Sequence, residues 1–189
     1  MEEVVKNNRR LLVISSTDTQ HIARILSLLN NDFETGTNKY DGITFKGITD
    51  GSYLFDTERI SYSTINGEPN VASSTVLKIK TFDFGSLTKA ECIFKGVDID
   101  GISEFTGTES LTSADKLFAW TKVHELPPIT LPNVRSAWLM LLRVTTLDVL
   151  PKITIGPRCE TNFVVTDATT NRAKLRPLFG YDNLYDEDI

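Results

Sequence analysis

The chain has 189 residues, of which 40% are hydrophobic and 24% are charged, and its net charge is −5. This length and composition suit a folded globular domain and exclude a disordered chain or a small scaffold that depends on disulfides. Proteins that bind nucleic acid by neutralising phosphates usually carry a basic excess. The balance of 25 acidic against 20 basic residues therefore argues against charge-driven genome condensation and leaves other contact with nucleic acid open.

The two cysteines, Cys92 and Cys159, lie far apart in the chain. Two cysteines do not make a disulfide framework, and we expect both to be buried or half-buried thiols. The N-terminus lacks a basic start followed by an apolar stretch, and the longest apolar run, 137–142, is too short to span a membrane. We expect a soluble protein without a transmembrane segment, located inside the cell that makes it, with a virion as a further location.

The N-terminal part of the chain predicts a strand followed by a helix. Residues 10–15 are apolar enough for a short buried strand. Thr17-x-x-Gln20 has the spacing of a capping box, in which two side chains satisfy the free N–H groups at a helix N-terminus. The helical spacing of apolar residues continues through Ile22, Ile25, Leu26 and Leu29. Asn30-Asn31-Asp32 is expected to end the helix.

The rest of the chain has the pattern of short strands separated by turns. The dipeptides Asp41-Gly42, Asp50-Gly51, Asn66-Gly67 and Asp100-Gly101 favour turns, because Asn, Asp and Gly tolerate a positive φ. Residues 92–97 and 102–106 flank the last of these turns and predict a hairpin. The predicted strands are 43–45, 53–55, 60–63, 76–82, 92–97, 102–106, 153–155 and 162–166.

Two segments are ambiguous in the sequence. Residues 111–122 can hold one or two helical turns, and the prolines that follow at 127, 128 and 132 predict an extended connection. Residues 137–144 are the most apolar segment; we predict a central strand there, with a helix of the same length as the alternative.

The pattern of elements predicts a mainly β fold, a β-sandwich or a jelly-roll-like arrangement, with one N-terminal helix and room for a second short helix. An α+β fold is the alternative. We find no internal repeat in the sequence. The predicted organisation is an N-terminal arm at 1–9, a single β-rich domain at 10–170, and a C-terminal arm with an acidic and aromatic tail at 171–189.

The candidate catalytic residues are few. His21 lies beside the apolar stripe of the helix and His124 precedes the prolines, and neither has a nucleophile motif nearby, so we assign both structural roles. Asp98 and Asp100 would share one face of a strand and could hold Mg²⁺, with Lys95 close in sequence. A turn at Asp100-Gly101 is the simpler interpretation. The sequence has no glycine-rich phosphate loop and no zinc-type spacing of Cys and His, so we expect no cofactor and no resident metal.

The two ends of the chain predict an interface. The last nine residues alternate aromatic or aliphatic side chains with carboxylates, which suits anchors beside charges at a protein surface. We expect this tail to contact basic side chains at either end of another copy, or a different protein partner. The predicted interface residues are Lys6, Arg9, Arg10, Arg172, Lys174, Arg176, Tyr181, Leu184 and Tyr185.

These observations favour a non-enzymatic structural protein that self-associates, as viral coat, matrix or tail subunits do. One alternative is a binding module, such as a viral movement or accessory protein, that recognises another protein through exposed aromatic side chains and the tail. A second alternative is a metal-dependent hydrolase built on Asp98 and Asp100. The fold class alone does not choose among them, because one fold supports many functions.

Overall fold

A computed structural model describes residues 2–34, 39–56, 64–65, 68–69, 76–144, 146–149 and 151–159. These residues form mostly strands, with one α-helix, α1 (Ile22–Glu34), as the sequence predicts. Within them, no helix has the length and apolar character needed to cross a membrane. The strands are β1 (Glu2–Lys6), β2 (Arg9–Ile14), β3 (Gly42–Phe45), β4 (Thr64–Ile65), β5 (Glu68–Pro69), β6 (Val76–Lys78), β7 (Thr81–Asp83), β8 (Asp98–Asp100), β9 (Glu104–Thr106), β10 (Ile129–Leu131) and β11 (Ile153–Ile155).

The chain begins with a β-hairpin. Strands β1 and β2 pair antiparallel and are joined by Asn7 and Asn8, which have φ values of 51° and 60°. Two consecutive residues in the left-handed region are what a two-residue hairpin turn requires, and Asn adopts that region more readily than most residues. Residues 2–6, which the sequence analysis placed in an N-terminal arm, are therefore a strand of the sheet.

Helix α1 confirms the predicted N-terminal helix and is preceded by one 3₁₀ turn, Thr19–His21. The predicted cap is wrong in detail. Asp18 Oδ2 accepts hydrogen bonds from the Ser15 backbone N–H at 2.9 Å and from Ser15 Oγ at 2.6 Å. These bonds lower the pKa of Asp18. Ser15 donates both of these bonds, which close a turn at 15–18, and the Asp18 backbone N–H donates to the Ser15 carbonyl. The N-cap position of the 3₁₀ turn is Asp18, and its side chain makes no cap hydrogen bond, so the predicted capping box does not form. The four predicted apolar positions, Ile22, Ile25, Leu26 and Leu29, are all buried.

Asn30 does not end the helix. Its side-chain amide donates to the Val76 carbonyl at 2.8 Å and accepts from the Lys78 N–H at 3.2 Å. The side-chain amide of Asn30 is therefore bonded to the main chain of β6. It joins the helix to this strand and does not cap the end of the helix. Helix α1 continues to Glu34.

Most of the strands pair in parallel across successive turns of the chain. Gly42, Thr81 and Glu104 lie side by side in β3, β7 and β9, at sequence separations of 39 and 23 residues. Ile129 and Ile153 pair in the same way, 24 residues apart. The chain therefore winds into stacked coils of about 23 or 24 residues, with a longer first coil, and each coil rests on its neighbour as in a solenoid.

A second set of parallel contacts runs along the stack. The Gly51 N–H donates to the Lys89 carbonyl, the Ala90 N–H to Ser113, and the Ala114 N–H to Ser136, at 2.9 to 3.0 Å. Each donor begins a pair of tight turns. The first turn has a residue with positive φ at equivalent positions in four coils, namely Tyr53, Cys92, Lys116 and Leu139.

These turns correct three predicted strands. Residues 53–55, 92–97 and 137–144 form turns in which most of the apolar side chains are buried, and 137–144 is neither the predicted strand nor the alternative helix. Residues 115–120 within the ambiguous segment 111–122 are also turns. The physical reason is common to all: a turn stacked inside a solenoid is as apolar as a buried strand, so the hydrophobic pattern does not separate them. The predicted strands 60–63 and 162–166 lie outside the described residues.

The β-sandwich or jelly-roll prediction is not confirmed. Such folds pack antiparallel sheets face to face, whereas the described strands pair in parallel except in the β1–β2 and β4–β5 hairpins. The predicted hairpin across Asp100-Gly101 is wrong, because β8 pairs with β6 and β9 pairs with β7. The stacked coils are also an internal repeat that the sequence analysis did not find.

Phenylalanine rings stack along the interior of the coils. Phe94 lies between Phe55 and Phe118, with ring centroids 6.4 Å and 5.4 Å away and interplanar angles of 12° and 2°. A second column joins Phe45 to Phe82 at 5.5 Å. Because rings at equivalent positions of neighbouring coils contact each other, adjacent coils are held together by matched apolar side chains.

Candidate interaction surfaces

The first candidate surface is the outer edge of strand β1. The five-stranded sheet has the order β1-β2-β3-β7-β9, so among the described strands β1 lies at the edge. All five of its residues are exposed, and Val4 and Val5, which point to opposite faces, have 41% and 66% of their surface accessible. An edge strand presents a row of unpaired backbone groups and is a template for adding another strand.

The hairpin turn determines which backbone groups of β1 face outward. The residues that flank a two-residue turn, Lys6 and Arg9, form a hydrogen-bonded pair, and such pairs alternate along an antiparallel ladder. Val4 with Leu11 and Glu2 with Val13 are the next pairs of the same kind. The N–H and C=O groups of Glu3 and Val5 therefore point away from β2.

The predicted basic residues of this region already have acidic partners in their own chain. Lys6 Nζ lies 2.9 Å from Asp83 Oδ1, and Arg10 Nη2 lies 3.4 Å from Glu3 Oε2. Arg9 Nε lies 3.4 Å from Glu104 Oε1. The structure brings these three predicted residues together on one hairpin. The ion pairs of Lys6 and Arg9 attach the hairpin to the coils, whereas that of Arg10 joins the two strands of the hairpin. The other predicted interface residues, Arg172, Lys174, Arg176, Tyr181, Leu184 and Tyr185, lie outside the described residues.

Asp83 anchors the hairpin from inside the sheet. Its side chain is 2% exposed and accepts hydrogen bonds from Lys6 Nζ at 2.9 Å, Thr44 Oγ1 at 2.5 Å and Thr106 Oγ1 at 2.9 Å. Burial raises the pKa of Asp83, but the hydrogen bonds from Thr44, Lys6 and Thr106 and the charge of Lys6 outweigh burial, so the net shift is downward. Gly107 leaves room for this carboxylate, because a Cβ at that position would overlap it. The network holds an ionised carboxylate below the hairpin.

The second candidate surface is the outer side of the stacked turns, which we call the turn face: Tyr53, Lys95, Lys116, Trp120 and Trp138. Tyr53, Trp120 and Trp138 are exposed aromatic residues. Lys95 Nζ lies 5.8 Å from the Trp120 ring centroid and Lys116 Nζ lies 5.1 Å from that of Trp138, distances typical of cation–π pairs. Exposed aromatic residues beside cations can contact a partner, and the sequence analysis did not identify them.

Asp98 and Asp100 occupy the two exposed positions of β8, on either side of buried Ile99. They share one face of the strand, as the spacing predicts. Among the described residues, no group of three or more His, Cys, Asp or Glu side chains is arranged to hold a metal ion. Two exposed carboxylates are a weak site for a hard cation, which takes six or more oxygen ligands.

The histidines lie outside the two candidate surfaces, and the cysteines are buried or half-buried. His21 is exposed in the 3₁₀ turn, and His124 Nδ1 lies 3.1 Å from Asp148 Oδ2, with both side chains more than 70% exposed. Cys92 is buried and Cys159 is half-buried, and both are thiols. Burial raises the pKa of Cys92, so its thiol form is favoured over the nucleophilic thiolate.

No protein-family model, curated protein or solved structure matches this chain.

Proposed function

We propose that this protein is a non-enzymatic structural subunit that self-associates through the edge of β1, in the manner of the subunits that build viral coats, matrices or tails. The supporting observation is the exposure of every residue of β1 at the edge of the sheet. The ion pair between Lys6 and buried Asp83 attaches one end of β1 to the coils, and a strand held in its extended conformation costs less entropy to pair with a strand from another copy. The two ends of the strand carry opposite charges, Glu2 and Glu3 against Lys6.

The experiment is a measurement of oligomer size, by sedimentation velocity at physiological salt, for the wild type and two variants of Val5. Val5→Pro removes an outward-facing N–H, and Val5→Thr retains that N–H with a side chain of similar shape. We expect oligomers for the wild type and Val5→Thr and a smaller species for Val5→Pro. A wild-type chain that stays monomeric at all concentrations contradicts the proposal.

The C-terminal tail belongs in the same measurement. We propose that its anchors Tyr181, Leu184 and Tyr185 add a second contact between copies. Arg9 and Arg10 are 37% and 48% exposed, and each guanidinium can donate further hydrogen bonds to a carboxylate besides those to its own acidic partners. Deleting 181–189 is expected to leave the fold intact and to reduce self-association. An unchanged size distribution assigns the association to β1 alone.

A binding module is the second candidate, supported by the exposed tryptophans of the turn face. Trp120 and Trp138 each expose more than a third of their surface beside a lysine. Aromatic residues are the common anchors of protein interfaces. In the sedimentation experiment, a monomer at every concentration favours this second function, in which the turn face contacts a different protein.

A further inference from the structure

We infer that two copies of this chain pair through β1 in one particular register, antiparallel with Val4 facing Val4 of the second copy. This inference rests on the proposed self-association and defines its geometry. A two-fold axis makes such a contact self-complementary, because each copy presents the same strand.

The backbone pattern of the hairpin restricts the register. Only Glu3 and Val5 direct their N–H and C=O groups away from β2, so these residues must form the hydrogen-bonded pairs of any added strand. An antiparallel partner with full overlap places Glu3 opposite Val5 of the second copy, and Val5 opposite its Glu3. Four main-chain hydrogen bonds result. Val4 then meets Val4 in a non-hydrogen-bonded pair, where side chains approach most closely.

The charges of β1 favour the same register. Full antiparallel overlap places Glu2 opposite Lys6 of the second copy at both ends of the strand, and directly opposed unlike charges stabilise a ladder. A parallel in-register pair would instead place Glu2 against Glu2, Glu3 against Glu3 and Lys6 against Lys6. Both residues also have a partner in their own chain, Asp83 for Lys6 and Lys46 for Glu2. The side chains of Lys6 and Glu2 are 45% and 61% exposed while so bound, and an ammonium with three protons and a carboxylate with about four lone-pair sites can each take a second partner.

The side chains on both faces of β1 leave space for a second strand. Val4 and Val5 point to opposite faces, and both are exposed. In the inferred dimer each valine is covered by the second copy, Val4 by its equivalent and Val5 by the aliphatic part of Glu3. Burying these valines adds an apolar contribution to the main-chain hydrogen bonds.

Disulfide trapping of the full-length chain tests the register. Val4→Cys and Val5→Cys are each made on a Cys159→Ser background, which leaves buried Cys92 as the remaining native thiol. In a non-hydrogen-bonded pair the Cα atoms are about 4.5 Å apart, within disulfide range, whereas two copies of residue 5 are diagonal neighbours with Cβ atoms roughly 7 Å apart, which is too far. The Val5 position is the more exposed of the two, so exposure alone would favour cross-linking there.

We expect mild oxidation to convert Val4→Cys to a covalent dimer and to leave Val5→Cys as a monomer on a non-reducing gel. Sedimentation of the unoxidised wild type runs in parallel. If the wild type forms oligomers but Val4→Cys does not cross-link in preference to Val5→Cys, the inferred register is wrong and the proposed self-association is retained. A wild type that is monomeric throughout overturns both the register and the proposed function.

Discussion

At the scale of single residues, Asp83 shows how a buried charge can be retained. A carboxylate in an apolar interior is costly unless hydrogen-bond donors and an opposite charge compensate for the lost water. Asp83 has two hydroxyl donors on neighbouring strands, Thr44 and Thr106, and the ammonium of Lys6. These donors come from three separate parts of the chain, so one side chain holds the hairpin and two coils in register.

We predict that Asp83→Asn lowers the free energy of unfolding by about 1–3 kcal/mol at neutral pH, because the variant loses the ion pair with Lys6 and a charged hydrogen-bond acceptor. The measurement is urea unfolding of both proteins.

The loss of stability in Asp83→Asn should depend on pH. The pKa of Asp83 is lower in the folded chain than its ordinary value of 3.8. A carboxyl with a lowered pKa stabilises the fold fully above its unfolded pKa, and this contribution is lost as the pH falls below 3.8 and through the lower folded value. The stability difference between wild type and Asp83→Asn should therefore shrink on acidification through that range. An equal difference at neutral and strongly acidic pH would argue against an ionised Asp83.

At the scale of elements, helix α1 is attached to the coils by an apolar face and by the polar side chain of Asn30. Ile22, Ile25, Leu26 and Leu29 bury the apolar face. Asn30 adds two hydrogen bonds to the main chain of β6, and its amide supplies both a donor and an acceptor. The helix therefore covers β6 at a fixed position along the strand, which an apolar contact alone would not specify.

Replacing Asn30 by Ala should loosen this attachment. We expect a loss of about 1–2 kcal/mol, since two hydrogen bonds to the β6 backbone are removed and the backbone groups become under-satisfied. Faster hydrogen exchange of the α1 and β6 amides is the measurement. Ser27→Ala is the matched control, because Ser27 is an exposed polar residue of the same helix. Equal exchange rates in the two variants would contradict a tethering role for Asn30.

At the scale of the whole molecule, the coils are held by nearest-neighbour contacts. The hydrogen bonds of the turns and the phenylalanine column both link each coil to the next. In such a stack, the free energy of unfolding is approximately the sum of one contribution from each coil and one from each interface between neighbouring coils. A phenylalanine at the centre of the stacked rings therefore contributes to the interfaces with both neighbouring coils.

Phe94 occupies that central position and is fully buried. We predict that Phe94→Ala lowers the free energy of unfolding by about 3–5 kcal/mol, because a cavity forms and stacking with Phe55 and Phe118 is lost. Phe94→Leu, which keeps most of the volume, should cost clearly less. Chemical denaturation of the three proteins measures both values, and equal losses for Ala and Leu would contradict a contribution from the cavity.

Several local features of the fold could be predicted from the sequence. The strands at 43–45 and 153–155 and the helix with its four buried positions follow from hydrophobic spacing and from turn residues with local preferences. The edge position of β1 could not be predicted, because an exposed strand has no apolar alternation. The turn face was also missed; its signal is a recurrence, 23 or 24 residues apart, of a buried Ala with buried apolar residues three and four positions later, as at Ala90, Ala114 and Ala137.

The sequence by itself determined that the chain is mainly β with one N-terminal helix, since those features depend on residues close together in the chain. Only the tertiary structure decided that 137–144 is a pair of turns and that Lys6 meets Asp83 across 77 residues. The physical reason is that burial makes strands and stacked turns equally apolar. What distinguishes them is hydrogen bonding to the neighbouring coil, which depends on residues far away in sequence.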